Sequence, residues 1–276
     1  MTDTWWKSVV PDEEGEPSDI DTTVAHPARV YDYWLGGKTH FAADREAAEQ
    51  VIAARPTVCR DVRANRAFLA RAVRVLAAAG IRQFLDLGTG IPSYGNTHEV
   101  AQSVAPESRV VYVDNDPIVL AHARALLTSS PQGATAYLDA DLRDTGTVLR
   151  KAARLLDFGQ PVAVLLVGVL HLIPDSDDPY GLVAKLMAAT APGSYLVITH
   201  PASDVNADEA AEGARRYNAH VSTPQTRRSR AETARFLAGL DVLEPGVVQC
   251  HRWRPEPGAE GLDQEQAHYA AVARKP

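Results

Sequence analysis

Cysteine is scarce in this sequence: Cys59 and Cys250 are the only two among its 276 residues. Two cysteines cannot build the framework of several disulfides that stabilises small secreted proteins. The first residues do not resemble a secretory leader either, because Trp5-Trp6-Lys7 runs into an acidic segment rather than an apolar one. We therefore expect a protein of the reducing cytoplasm.

Long hydrophobic runs are also missing. The longest, Val162 to Ile173, is interrupted by Gly168 and His171 and falls short of the roughly 20 residues that a membrane-spanning helix needs. We predict no contact with a membrane. The remaining composition is that of an ordinary globular protein, and the length allows one large domain with a substantial core.

Positive charge is in short supply. The formal net charge is −7, and residues 1–21 hold Lys7 against seven acids, which leaves about −1 for the rest of the chain. We predict that residues 1–22 form an acidic, flexible tail. A nearly neutral body has no broad basic surface for nucleic acid, so we expect no nucleic-acid partner.

A cluster of aromatic and charged residues extends from His26 to His40 and contains the pair Gly36-Gly37, which can stop a helix. One interpretation is a short amphipathic helix whose aromatic side chains pack on the core. The other is a lid that closes on a bound small molecule, with five candidate contacts: Arg29, Tyr31, Tyr33, Lys38 and His40.

The pattern from Ala42 to Ala79 is helical, and Pro56 divides it in two. Its second half carries an apolar stripe at i, i+3/i+4 spacing that should face a core. We predict that five arginines of this half lie on a solvated face: Arg60, Arg63, Arg66, Arg71 and Arg74. Together with the aromatic cluster, these helices form a predicted N-terminal helical lid over residues 23–80.

From residue 81 to residue 276, strand-like and helix-like patterns alternate. Strands are predicted at residues 83–87, 109–113, 134–138, 162–169, 194–199, 246–253 and 268–274, and helices near residues 97–104, 117–128, 144–157, 178–190, 206–219 and 229–239. Five β-α units with short connections predict an α/β fold, a Rossmann-like doubly wound parallel sheet with helices on both faces. The last two strands lack a helix between them, which predicts an antiparallel hairpin at the sheet edge.

The stretch from Phe84 to Ser93 has the pattern of a strand that feeds a tight turn beside a ligand. Its candidate contacts are Asp86, Gly88, Thr89 and Gly90. Glycine is favoured there because a side chain would block the approach of a ligand and because the turn can require positive φ. Asp86 distinguishes this loop from the commonest dinucleotide loop, which has no acid at that position.

Ligands of open parallel sheets bind at the carboxyl ends of the strands. Asp114 and Asn115 close the second strand, about 25 residues after the glycines, and an acid there can accept hydrogen bonds from both hydroxyls of a ribose. Asp141 follows the third strand, where a carboxylate can accept a hydrogen bond from an exocyclic amine such as that of adenine.

The fourth and fifth strands bring two histidines to the same rim. Gly168, which allows close backbone approach, precedes His171, and His200 ends the fifth strand. Each histidine has two interpretations, as a structural residue or as a catalytic one. No metal-ligand set is predicted.

These motifs resemble the ligand-binding motifs of class I S-adenosylmethionine-dependent methyltransferases, namely Asp86-Leu-Gly-Thr-Gly, Asp114 and Asp141. More narrowly, the chain resembles an actinobacterial family of such proteins that was catalogued as a domain of unknown function, DUF574. The resemblance covers nearly all of residues 24–276, and its marks are at residues 28–38, 86–92, 96–100, 113–117, 141–143, 244–248 and 253–255.

The resemblance implies a seven-stranded sheet with a reversed last strand, S-adenosyl-L-methionine as cofactor and S-adenosyl-L-homocysteine as product. It implies that Gly88 and Gly90 lie by the methionyl part, that Asp114 binds the ribose, and that Asp141 and Leu142 lie at the adenine. Val169-Leu170-His171 also resembles a motif of small-molecule O-methyltransferases, in some of which the histidine is the base.

We therefore interpret the chain as a methyltransferase for the O- or N-methylation of a small molecule. Nucleic-acid methylation is disfavoured because no Asn/Asp-Pro-Pro-Tyr/Phe run and no Pro-Cys pair after the fourth strand is present. Residues 202–240 are predicted to cap the acceptor pocket. Their candidate lining residues, which fit an exposed surface equally well, are Tyr217, Asn218, His220, Arg227 and Arg228.

Two alternatives remain at this stage. A non-catalytic, S-adenosylmethionine-binding regulator would fit the Trp5-Trp6 tail and the unassigned acceptor. An NAD(P)-dependent reductase would share the G-x-G loop and the downstream acid. Against the reductase, Ser93 occupies the third glycine position, Asp86 precedes the loop, and a helical block precedes the first strand.

Overall fold

The computed structural model of the protein describes residues 21–93, 95–126 and 129–276. Of the acidic tail predicted for residues 1–22, residues 1–20 lie outside the described part of the chain. The described chain begins with three helices, α1 (Pro27–Leu35), α2 (Ala42–Ala54) and α3 (Val58–Ala78). α1 starts with proline, which suits a first helical position, and ends at Gly36, where φ is 85°.

Strands and helices then alternate. The strands are β1 (Gln83–Leu87), β2 (Arg109–Asp114), β3 (Ala134–Asp139), β4 (Ala163–Val167), β5 (Tyr195–Pro201), β6 (Asp241–Val242), β7 (Val248–Gln249) and β8 (His268–Arg274). The helices between them are α4 (Thr97–Val104), α5 (Pro117–Leu126), α6 (Thr145–Ala152), α7 (Pro179–Ala188), α8 (Ala207–Asn218) and α9 (Arg230–Arg235).

The strands of the described chain form one eight-stranded sheet in the order β3-β2-β1-β4-β5-β8-β6, with β7 also paired to β8. β1 to β5 are parallel, whereas β8 is antiparallel to β5, β6 and β7. The α/β fold and the antiparallel C-terminal edge are therefore confirmed. The predicted count of seven strands is wrong because two short strands share the edge of β8.

The predicted strand at residues 246–253 is much shorter in the structure. Only Val248–Gln249 pair with β8, and a 3₁₀ turn at Cys250–Arg252 follows. The other edge strand, Asp241–Val242, was not predicted. Two-residue strands are too short to show an alternating pattern, so periodicity could not identify them.

Strand alternation gives the sheet two apolar faces. Leu85, Val111 and Val164 contribute to one core, while Phe84, Val110 and Leu165 contribute to the other. On the second face, α3 supplies Phe68, which meets the fully buried Trp253 edge to face with ring centroids 5.3 Å apart. Both faces are covered, as a mostly parallel sheet requires.

A third apolar cluster joins the N-terminal helices to α8. It contains Val30 and Trp34 of α1, Val51 of α2, Val58 of α3 and Tyr217 of α8. The Trp34 indole also donates a hydrogen bond to the Ala48 carbonyl. This packing holds α1 to α3 over the carboxyl ends of the strands.

The solvated face predicted for α3 is wrong for three of its five arginines. Arg71 is half-buried and donates hydrogen bonds to the carbonyls of Cys250 and Trp253. Arg66 lines a cavity, and half-buried Arg60 donates to Gln264 and Glu265. Arg63 and Arg74 are exposed as predicted. None of the described helices is long and apolar enough to cross a membrane.

Candidate active site

A single cleft follows the carboxyl edge of the sheet. Its floor takes residues from the loops after β3, β2, β1, β4 and β5 and from the start of β8, represented by Asp141, Asp114, Gly88, Gly168 and Pro201 with His268. Residues of α1, α2 and α3 form the roof. The sheet order changes direction between β1 and β4, and this switch point is where open α/β sheets bind ligands.

The two glycines after β1 have different physical roles. Both have φ of 68°, a conformation that is strained for any residue with a side chain. A Cβ at Gly88 would lie 2.2 Å from Val169 Cγ2, whereas a Cβ at Gly90 would meet no atom within 4 Å. Gly88 therefore allows the loops after β1 and β4 to pack together, and Gly90 borders open space in the cleft.

Asp114 organises the glycine loop. Its Oδ2 accepts a hydrogen bond from the Gly90 amide at 2.8 Å, and its Oδ1 accepts one from the Asp116 amide at 3.0 Å. Burial raises the pKa of the Asp114 carboxyl, although these two amides oppose the shift. Each oxygen keeps a second lone pair that can accept from a ligand. Asn115 and Thr89 also line this part of the cleft.

Asp86 does not line the cleft. Its buried carboxylate accepts a hydrogen bond from Thr97 Oγ1 at 2.6 Å, and burial raises its pKa to about 6. The side chain thus fixes the first turn of α4 behind the glycine loop. The predicted contact of Asp86 with a ligand is therefore not seen in the geometry, because Asp86 pairs with Tyr112 inside the sheet, two residues before the level of Asp114.

The loop after β3 supplies the other end of the cleft. Ala140, Asp141, Leu142 and Arg143 line it. The Arg143 guanidinium donates to both oxygens of the Asp141 carboxylate, and these hydrogen bonds lower the pKa of Asp141. Leu142 is buried, so it offers an apolar surface beside the charged pair.

The lid candidates are divided by the periodicity of α1. Tyr31 lines the cleft, together with Pro27, Ala28 and Trp34. Its hydroxyl donates to the Val62 carbonyl and accepts from Asn65 Nδ2 at 2.9 Å, and burial raises its pKa to about 12. These contacts tie α1 to α3.

The other four lid candidates lie away from the cleft. Arg29 pairs with Asp44 and donates to the carbonyls of Asp21 and Val24. Tyr33 contacts Glu49, and His40 contacts the Gly37 carbonyl. Lys38 is exposed. Residues 29 and 33 fall on the helix face opposite to the cleft, because positions 27, 31 and 34 share the other face.

The two rim histidines have different surroundings. The ring of His171 lines the cleft, and its Nδ1 has no hydrogen-bond partner. Burial lowers the pKa of His171 well below its usual range, and His200, Arg227 and Arg228 lower it further. The side chain is therefore neutral at neutral pH.

His200 is fully buried behind the cleft wall. Its Nε2 lies 2.8 Å from Arg228 Nη1, and its Nδ1 lies 3.1 Å from the Pro201 carbonyl. Because a guanidinium can only donate, Nε2 accepts and Nδ1 carries the proton that bonds Pro201. Both nitrogens are occupied, so the catalytic role predicted for His200 has no geometric basis.

The buried position of His200 predicts a pH-dependent stability. Burial lowers its folded-state pKa to about 3, so between about pH 3 and the unfolded value near 6.5 only the unfolded state binds the proton. Stability is therefore lost as pH falls through this window. We expect His200→Gln, which preserves both hydrogen bonds, to remove about 1.4 kcal/mol per pH unit of this loss.

The measurement is chemical unfolding of both proteins from pH 8 to pH 4. The difference in unfolding free energy should be constant above pH 7 and should shift in favour of the variant below about pH 6. A difference that stays constant down to pH 4 would contradict the assignment of His200 as a buried neutral histidine.

Several cleft residues were not predicted at the cleft from the sequence. Arg55, Asn65 and Arg66 line the roof, and His26 and His268 line two of its ends. His26 Nδ1 lies 2.8 Å from Asp116 Oδ2, beside the Asp114 loop. Asn65 had a signal, because it is a polar residue within the apolar i, i+3/i+4 stripe of α3. The others had none, because their partners are distant in sequence.

Residues 202–240 also contribute to the cleft wall. Tyr217, Thr223, Gln225 and Arg227 line it, whereas Arg228 is buried behind it and Asn218 and His220 are exposed. Within the described ranges, no group of three or more His, Cys, Asp or Glu side chains is arranged to hold a metal ion.

Comparison with known proteins identifies the family. A family model described as S-adenosyl methyltransferase matches residues 13–276. No curated protein matches the chain. Among solved structures, a DUF574 family protein from Streptomyces avermitilis is 46% identical and superposes with a TM-score of 0.89, covering 93% of this chain and 99% of its own.

A second solved structure, a candidate methyltransferase from Thermobifida fusca, is 39% identical with a TM-score of 0.86 and covers 95% of this chain and 99% of its own. The plantazolicin methyltransferase BpumL is 12% identical with a TM-score of 0.50, covering 90% and 96% of the two chains, and this likeness extends to the fold alone. The chain therefore belongs to the S-adenosyl methyltransferase family, and its cofactor is S-adenosylmethionine.

Proposed function

We propose that the protein transfers the methyl group of S-adenosylmethionine to an oxygen or nitrogen atom of a small molecule. The extent of the cleft carries this proposal. Its lining begins at Asp141 after β3 and reaches His268 on β8, two strands beyond the switch point at β4. This leaves a second compartment beside the cofactor, and the roof of α1 to α3 favours a small acceptor.

The residues at the carboxyl ends of β3, β2, β1 and β4 fit the cofactor. We assign Asp141 and Leu142 to the adenine, Asp114 and Asn115 to the ribose, and the glycine loop with Thr89 and Gly168 to the methionyl part. The open space beside Gly90 supports this assignment, as do the remaining lone pairs of the Asp114 carboxylate. The order of the strands sets the order of these contacts along the cleft.

Two roof residues complete the methionyl end. Arg66 lines the cleft, and among the described residues its guanidinium donates one long, 3.4 Å hydrogen bond, to the Gly95 carbonyl, so it can bind the carboxylate of the methionyl part. Asn65 lies over the loop after β4, since a Cβ at Gly168 would be 3.2 Å from Asn65 Nδ2. We assign both residues to positioning this end of the cofactor.

The chemistry needs alignment more than proton transfer. When bound, S-adenosylmethionine supplies a methyl carbon on a sulfonium: the acceptor's lone pair forms a bond to that carbon while the carbon–sulfur bond breaks, and its electron pair stays on sulfur to give S-adenosylhomocysteine. The walls of the cleft hold the acceptor in line and exclude water. A hydroxyl or ammonium acceptor must also lose a proton, and we assign a ring nitrogen of neutral His171 to receive it.

Two alternatives to a methyltransferase are an NAD(P)-dependent reductase and a non-catalytic binder of S-adenosylmethionine. The reductase is disfavoured because the chain belongs to a methyltransferase family. A non-catalytic binder would keep the cofactor contacts without turnover.

Calorimetry with S-adenosylmethionine, S-adenosylhomocysteine and NADH tests which ligand binds, and we expect binding of the first two and none of NADH. Incubation with methyl-labelled S-adenosylmethionine and fractionated small metabolites tests turnover. Cofactor binding with no labelled product in any fraction would favour the binder.

Replacing His171 with asparagine tests the proton acceptor. Once an acceptor is known, we expect His171→Asn to slow single-turnover methyl transfer about 100-fold, the low end of general-base effects, because burial, together with His200, Arg227 and Arg228, lowers the pKa of this histidine. Cofactor affinity should be unchanged. The rate loss should shrink as pH rises and the acceptor ionises unaided. An unchanged single-turnover rate would refute the assignment.

A further inference from the structure

The far end of the cleft contains buried basic side chains whose polar atoms lack partners. Arg55, the C-cap residue of α2, and His268 of β8 line it and are only 2% and 7% exposed. Arg55 Nη1, Arg227 Nε, His268 Nδ1 and His171 Nδ1 are buried and form no hydrogen bond within the described chain. Buried donors are normally paired, so this group points to a bound molecule that the chain itself does not supply.

The charges at this end do not balance. Arg55 donates a hydrogen bond to Asp61, which also accepts from Thr57 Oγ1 at 3.3 Å. Arg227 donates only to the Ala202 carbonyl, at 3.1 Å, and forms no ion pair with the described residues. Burial lowers the pKa of Arg227 to about 9, with Arg55 lowering it further, which leaves it protonated at neutral pH. Two guanidinium groups therefore face one carboxylate.

Other charged groups do not cancel this excess. Glu209 of α8 acts on Arg55 but is exposed. His171 and His268 are neutral, since burial lowers both of their pKa values well below the usual range. The far end of the cleft thus keeps a net charge of about +1 in a low-dielectric site, where an unpaired charge is costly.

The sheet sets the length of this end of the cleft. His268 is paired with Pro201, and β8 is two strands beyond β4. At about 4.8 Å per strand, His268 is roughly 10 Å from the loop at Gly168. Val51, Val58, Val62 and Tyr217 also line the cleft and belong to one apolar cluster.

We propose that the methyl acceptor is an amphipathic carboxylic acid whose carboxylate binds Arg55 and Arg227 and whose nucleophile faces His171. Its apolar body lies against this apolar cluster. This proposal rests on the function proposed above. A carboxylate fits better than a phosphate, because its single negative charge balances the site, whereas a phosphate monoester carries about −1.5 to −2 at neutral pH.

The experiment measures binding to the complex with S-adenosylhomocysteine, so it does not depend on turnover. The probes are hydroxyaryl alkanoic acids of increasing chain length, beginning with 3-(4-hydroxyphenyl)propionate, each compared with its neutral primary amide and with the matching alkyl phosphate. We expect at least one acid to bind 10-fold or more tightly than both its amide and its phosphate.

Variants test whether the two arginines cause the preference for the acid over its amide. Arg227→Gln keeps a donor for the Ala202 carbonyl, and we expect it to reduce the acid-to-amide ratio to less than twofold. The paired change Arg55→Met with Asp61→Leu removes the second guanidinium without stranding its acid, and it should do the same. Arg216→Gln is the matched control, since Arg216 pairs with Glu212 outside the cleft, and it should keep the ratio.

The outcomes distinguish failure of the carboxylate assignment from failure of the proposed methyltransferase function. If the unmodified protein does not bind S-adenosylhomocysteine, the proposed function itself is contradicted. The Arg227→Gln protein should bind S-adenosylhomocysteine with the affinity of the unmodified protein. If no acid in the series outcompetes its amide, or if the phosphate binds more tightly than the acid, the carboxylate assignment is wrong. A preference that survives in Arg227→Gln also overturns it.

Discussion

Replacing Asp114 with alanine should weaken the binding of S-adenosylmethionine by about 10²–10⁴-fold. The proposed ribose contact consists of two hydrogen bonds to a charged acceptor, each contributing about 1.5–3 kcal/mol, and every 1.4 kcal/mol corresponds to a factor of ten. The same change also frees the amides of Gly90 and Asp116, so the loop loses part of its preorganisation. Isothermal titration calorimetry measures the loss directly.

The neighbouring strand provides the control. Asp139 closes β3 in register with Asp114, but it is exposed and does not line the cleft. We expect Asp139→Ala to bind the cofactor within twofold of the unmodified protein. Asp114→Asn should fall between the two, because its amide nitrogen cannot accept a hydrogen bond. An Asp114→Ala protein with unchanged affinity and unchanged thermal unfolding would rule out the ribose assignment.

Replacing Arg228 with methionine should lower the free energy of unfolding by about 3–5 kcal/mol, the lower part of the range expected when three buried acceptors each lose a donor at a cost of about 1–3 kcal/mol. Arg228 is 2% exposed. Its guanidinium donates to the carbonyls of Leu170 and Ile173 and to His200 Nε2. Methionine fills a similar volume but leaves these three buried acceptors without a donor. The bond to Asp175 adds little, since that carboxylate is 71% exposed.

Chemical unfolding at pH 7, followed by two independent probes, is the measurement. Arg230 is a matched control because it is exposed and donates to the Val247 carbonyl; Arg230→Met should cost less than about 1 kcal/mol. The loss in Arg228→Met should be non-additive with that in His200→Gln, since the two residues share a hydrogen bond. A cost below 1 kcal/mol for Arg228→Met would show that the cluster contributes little to stability.

These two predictions concern opposite ends of one structural arrangement. Asp114 positions the loop that we assign to the cofactor, and Arg228 holds together the segment after β4, the end of β5 and the segment before α9. The first of these carries His171 and the last carries Arg227. Loss of Arg228 should therefore also reduce methyl transfer, although Arg228 itself does not reach the cleft.

Much of the fold was readable from local pattern. The predicted bounds of β1, β8 and α4 agree with the structure, because each has clear alternation, helical spacing or a capping box such as that of Asn96 and Glu99. The parallel order followed from the β-α repeats. What local pattern missed was short or irregular, such as β6 and the 3₁₀ turn after β7.

The site residues were likewise predicted in part from local pattern. The glycine loop and the strand-end residues Asp114, Asp141 and His171 lie at the cleft as predicted, because a parallel sheet brings the carboxyl ends of its strands to one edge. Asp86 and His200 belong to the same strand ends in the sequence, yet both turn into the protein. Each is paired inside the sheet, Asp86 with Tyr112 and His200 with Tyr269, one or two residues before the level at which Asp114 and Pro201 reach the cleft.

The sequence by itself determined the class of fold, the switch-point loop and the family, because each depends on short motifs and on the spacing of apolar residues. Only the tertiary structure decided which basic residues share the far end of the cleft. Arg55, Arg227 and His268 come from three segments far apart in the chain, and the charge of the two arginines is costly there because folding buries Arg55 fully and Arg227 in part. No local pattern records that, since desolvation is a property of the packed protein.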